Sequence, residues 1–112
     1  MDDKRVTVDL NLRTSVLDRI AERHHVSMLD LVYMFATFAI SMKLPPLSPT
    51  KKEVLSGDVF EGESIYQLVS IMYETDEPRK IAHELANAGM DFVKDLPLDE
   101  LELAEVFRLS SD

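Results

Sequence analysis

Residues 5–12, Arg-Val-Thr-Val-Asp-Leu-Asn-Leu, alternate strictly. Val6, Val8, Leu10 and Leu12 take one parity, and Arg5, Thr7, Asp9 and Asn11 take the other. Side chains of a strand point to opposite faces with period two, so the segment reads as a strand with one buried face. No second segment of that pattern is evident in the rest of the 112 residues. A lone strand leaves its backbone donors and acceptors unpaired and is not stable alone. Whatever pairs with residues 5–12 therefore governs the fold.

The remainder reads as helices. Residues 14–23 place Val16, Leu17, Ile20 and Ala21 on one face, with Thr14 or Ser15 as N-cap. His24–Ser27 forms a break, and Ser27 is suited to cap a second helix over 28–43. That helix is apolar all round except for a stripe of Asp30, Tyr33, Thr37 and Ser41, so it is expected to be buried on most sides. The prolines of residues 44–49 end it and mark a boundary between segments 1–43 and 44–112.

Beyond that boundary, Thr50 and Glu53 have capping-box spacing before Gly57, which predicts a short helix. In residues 64–74, Ser64 and Gln67 repeat that spacing, and Ile65, Leu68, Val69, Met72 and Tyr73 follow the helical template. Another helix starts at Asp76 and Pro78 with Ile81, Leu85, Ala88 and Phe92 as its buried stripe, and Gly89 is placed to end or loosen it. A last helix spans about 97–109 with Leu101, Ala104 and Phe107 inward.

Hydrophobic residues make up 46% of the chain, enough for one small core, and there is no cysteine for disulfides or thiolate chemistry. The longest apolar run, residues 28–42, contains Asp30 and is shorter than the roughly 20 residues of a membrane span. The N-terminus does not read as a secretory signal, so a cytoplasmic protein is expected. The net charge of −9 is uneven: residues 1–43 hold six Lys/Arg and six Asp/Glu, whereas residues 44–112 hold six against fifteen. Phosphate repels such an acidic half, so a nucleic-acid surface is expected within the first 43 residues.

The stretches RVTVDL and VLDRIAERHHVSMLDLV, in the order strand, helix, Ser-containing turn, apolar helix, resemble the ribbon-helix-helix family of DNA-binding proteins. The resemblance covers residues 4 to about 43. It implies a homodimer through residues 5–12 and helix 28–43, the two strands pairing antiparallel between copies. It also implies a ribbon in the major groove of double-stranded DNA, with Arg5, Thr7 and Asn11 facing bases and the amides of Ser27 and Met28 on a phosphate. Two positions depart from the family. Asp9 would put a carboxylate on the reading face, and His25 stands where a turn glycine is usual.

The expected fold is therefore mainly α: an N-terminal strand plus two helices as a ribbon-helix-helix dimer, then three to four short helices in an acidic extension. The expected function is a DNA-binding transcriptional regulator. The alternative is a protein-interaction module, antitoxin-like or an adaptor, that keeps the dimeric fold and binds DNA weakly or not at all. In antitoxins of this family an acidic segment neutralises a toxin, so residues 44–112 admit a basic protein partner. The blander reading of that region is a set of helices covering the flank of helix 28–43.

No catalytic pattern stands out. Glu84, Asp91 and Asp95 read as a solvated face, and Met28, Met34 and Met42 as core. His24, His25 and His83 lack ligand spacing, so no metal, cofactor or enzymatic activity is expected.

Overall fold

A computed structural model describes residues 6–55 and 64–111. The molecule is mainly helical, with an N-terminal strand leading into helices and a small antiparallel sheet. The elements run β1 (Val6–Asp9), α1 (Leu10–Leu12), a π-helical turn (Arg13–Leu17), α2 (Asp18–His24), α3 (Met28–Ser41), β2 (Lys52–Leu55), α4 (Ser64–Tyr73), α5 (Pro78–Val93) and α6 (Leu103–Ser111).

The strand's partner lies in the same chain. β1 and β2 pair antiparallel in the register Val6↔Leu55, Thr7↔Val54, Val8↔Glu53 and Asp9↔Lys52. This corrects two expectations. The segment around Thr50 and Glu53 is a strand and not a helix, because Thr50 spends its capping potential elsewhere. Its N–H and its Oγ1 both donate to Asp9 Oδ1 at 2.8 Å. Lys52–Leu55 also supplies, within the same chain, the second strand that the alternation pattern does not reveal.

β1 is shorter than residues 5–12 because Asp9 stops it. Its carboxylate accepts from Leu12 N–H at 3.2 Å and caps a helical stretch that continues through the π turn into α2. Leu10, Asn11 and Leu12 are thus helical and not part of the ribbon. Thr14 and Ser15 do not cap; their hydroxyls donate back to Asn11 O at 3.1 and 2.7 Å. The α2–α3 break matches the sequence reading. His25 sits in left-handed conformation at φ 55°, and Ser27 Oγ accepts from Leu29 N–H. α3 ends on Lys43 at φ 57°, with Leu44 N–H bonded to Ala39 O across the helix end.

Asp30, Tyr33, Thr37 and Ser41 are exposed on α3 as expected, and Met34, expected in the core, is exposed with them. The opposite side, with Leu31, Val32, Phe35, Ala36 and Ala39, is buried mainly against α5. Gly89 lies inside α5 and does not end it. A Cβ there would come 2.6 Å from Phe35 O, so the missing side chain lets the two helices touch.

Phe107 of α6 closes the other end, its ring centroid 5.2 Å from Phe35 and 5.4 Å from Phe38. α6 begins later than expected, at Leu103, after turns through residues 94–102 that Arg19 fastens by a two-point ion pair to Asp99. One hydrophobic core draws on both 1–43 and 44–112.

Asn87, fully buried in α5, joins three segments. Its Oδ1 accepts from Asp9 N–H at 3.0 Å, and its Nδ2 donates to Leu47 O at 3.3 Å. The ion pair Arg13–Glu53 binds the π turn to β2.

Candidate functional site

The β1–β2 pair has a core face and an outer face. Val6 and Val8 are fully buried, while the outer parity brings Thr7 beside Val54 and Asp9 beside Lys52. Asp9 belongs to that outer parity by sequence, yet it is 6% exposed. Four donors surround its carboxylate: Leu12 N–H, Thr50 N–H, Thr50 Oγ1–H and Lys51 N–H. Burial pushes its pKa up, but the hydrogen bonds from Thr50, Lys51 and Leu12 outweigh burial and hold it below the ordinary carboxylate value. The anion that counted against a nucleic-acid surface is therefore consumed inside the fold.

Beside this face lies a cleft of about 480 Å3, walled by Thr7 from β1, Pro49 and Lys52 from the β2 side, and Asp76–Lys80, His83 and Glu84 around the start of α5. Three cations converge here from distant parts of the acidic half. Arg79 lies over the Tyr66 ring at 4.7 Å, and Tyr66 Oη is 3.3 Å from His83 Nε2. Burial raises the Tyr66 hydroxyl to about 12 despite the Arg79 charge, so it stays protonated. Pro78 opens α5, and the first turn carries Arg79 and Lys80 with no acidic residue. Cations at the positive end of a helix are placed against its dipole, and here the carboxylates of Asp76 and Glu77 just before the helix stand beside them. Asp76, Glu77 and Glu84 line the same cleft, and Glu84 accepts from Ser48 Oγ at 3.1 Å.

The residues expected from the sequence do not gather in one place. Of those described, Thr7 lines the cleft; Asn11 is exposed on α1, Ser27 caps α3, and Met28 is half-buried against the core. Arg5 lies outside the described residues. Lys52, Arg79 and Lys80 were not anticipated. The one local signal was Pro-Arg-Lys at a helix start, where acidic residues are usual. Among the described residues no group of His, Asp and Glu is arranged to hold a metal ion, and no helix is long and apolar enough to cross a membrane. Comparison with protein-family models, curated proteins and solved structures found no match.

Proposed function

We propose that the protein is a DNA-binding regulator that meets duplex DNA with the outer face of its β1–β2 pair. The observation that carries this reading is the withdrawal of Asp9 from that face while Lys52, Arg79 and Lys80 line one cleft with Thr7. Within a chain of net charge −9, the three cations of this cleft balance its three carboxylates, Asp76, Glu77 and Glu84, over distances shorter than the Debye length of about 8 Å at physiological salt. Lysine and arginine would position phosphates, and Thr7 would reach base edges. The amides of Ser27 and Met28 at the start of α3 would hold a further phosphate.

Fluorescence anisotropy with DNA from around its own gene and a scrambled control, at two salt concentrations, tests this. The native sequence should bind tighter, and three phosphate contacts give a log–log salt slope of about −3. Lys52→Ala with Lys80→Ala should weaken binding to both DNAs and reduce that slope by about 2. An unchanged slope removes the cleft from the interface.

A protein-interaction module, antitoxin-like or an adaptor, is the second reading. It is favoured by the carboxylates of Asp76, Glu77 and Glu84 on the same cleft and by the net charge. It predicts no DNA binding at low salt and salt-sensitive capture of a basic polypeptide such as oligolysine.

A further inference from the structure

The geometry points to a strand-addition site: a basic, extended segment of a partner protein pairs its backbone with the open edge of β1 at Thr7, inside the cleft. Leu10 N–H donates to Lys51 O at 2.7 Å, so these two residues form a hydrogen-bonded pair of the ladder. Counting back in twos, Val8↔Glu53 and Val6↔Leu55 are hydrogen-bonded pairs as well, and Thr7↔Val54 and Asp9↔Lys52 are not. The N–H and C=O of Thr7 and Asp9 therefore leave β1 on the edge away from β2. Asp9 shows the direction, because Asn87 Oδ1 of α5 accepts from its N–H.

At Thr7, further along the same edge, α5 supplies no such partner. Among the described residues nothing bonds the Thr7 N–H or C=O, and the cleft of about 480 Å3 separates Thr7 from residues 76–84. Glu84, His83 and Lys80, one and two turns before Asn87 on the same helix face, line that cleft. An outward N–H and C=O on one strand residue are the complement of another extended backbone. A phosphate backbone carries acceptors only and would leave the Thr7 C=O unmatched. A third strand satisfies both groups and extends a two-stranded sheet that is marginal by itself.

Charge sets the sign of the segment. Inside the cleft Lys52, Arg79 and Lys80 balance Asp76, Glu77 and Glu84, so side chains of either sign find a counterpart. Beyond it, the net charge of −9 attracts a basic segment and repels an acidic one or a second copy of this chain. The backbone of Lys52 and Val54 faces the opposite edge of the sheet. Both residues are exposed there, and a lysine of that kind guards an edge against pairing. Asn87 closes the β1 edge at Asp9, so the paired stretch is short and its affinity modest. This inference goes beyond the DNA reading and competes with it for the cleft.

Amide hydrogen exchange of the full chain, read by NMR, tests it with a peptide of about eight residues, alternating Lys and Thr, at up to about 1 mM. The Thr7 amide should exchange rapidly in the free protein, and the peptide should slow it at least tenfold. Peptides N-methylated at every Lys or at every Thr lose their donors on opposite edges, so one should bind at least tenfold more weakly than the other. Thr7→Pro removes the outward N–H without touching a ladder hydrogen bond, a change that an edge strand accepts. Folded by circular dichroism, that variant should also lose at least tenfold in peptide affinity. A Thr7 amide already protected in the free protein, a peptide that leaves it unprotected, or equal binding of the two methylated peptides would each overturn the proposal. Protection of Thr7 by duplex DNA and not by the peptide would overturn it and leave the DNA reading standing.

Discussion

Asp9 shows how one side chain changes a surface and a helix together. Its two carboxylate oxygens serve Leu12, Thr50 and Lys51, so they cap α1 and close the β1–β2 corner at once. Asp9→Ala should strand the buried Leu12 N–H, at a cost of about 1–3 kcal/mol, while the donors of the exposed Thr50 and Lys51 regain water. The pH dependence has a definite sign. The folded pKa is depressed, so the stabilisation is fully present above the unfolded value of 3.8 and is lost as pH falls through the lower folded value. Urea melts of wild type and Asp9→Ala should therefore differ most at neutral pH and converge below about pH 3.8. Differences that persist undiminished at pH 2 would mean that the carboxylate charge is not what holds the corner.

At the scale of elements, the contact between α3 and α5 organises the molecule, and Gly89 sets its spacing. An alanine gains about 1 kcal/mol of helix propensity, but its Cβ meets the Phe35 carbonyl at 2.6 Å. Overpacking of this kind costs about 1–3 kcal/mol, and backbone cannot rotate aside as a side chain can. Gly89→Ala should lower the melting temperature by roughly 5 °C in a calorimetric scan. A melting temperature at or above wild type would show that the helices separate freely.

Element type followed local pattern where the pattern had one outlet. α3, α4 and α5 lie close to their expected positions, because apolar periodicity and Pro78 acted without a rival. At β2 the capping-box spacing of Thr50 and Glu53 predicts a helix, and that signal loses to contacts with Asp9 and Arg13 from across the chain.

For the whole molecule, the division at the prolines is a change of composition and not of core. α5 contributes Leu85, Ala86, Asn87 and Met90 to the interior and reaches both β1 and α3. A peptide of residues 1–43 should consequently be unfolded by circular dichroism, since β1 would lose β2 and α3 would lose α5. A folded dimer of that peptide would restore the ribbon-helix-helix arrangement implied by the resemblance.

Local physics was enough to specify the helical class, the break at residues 24–27, the Ser27 cap and the solvent stripe of α3, because each depends on residues within a turn or two of one another. Pairing of β1 with β2 joins residues more than forty apart, and Lys52, Arg79 and Lys80 reach Thr7 from segments that look acidic on average. Those placements came from burying α5 against α3 and β1, a long-range packing choice to which neither periodicity nor summed charge is sensitive.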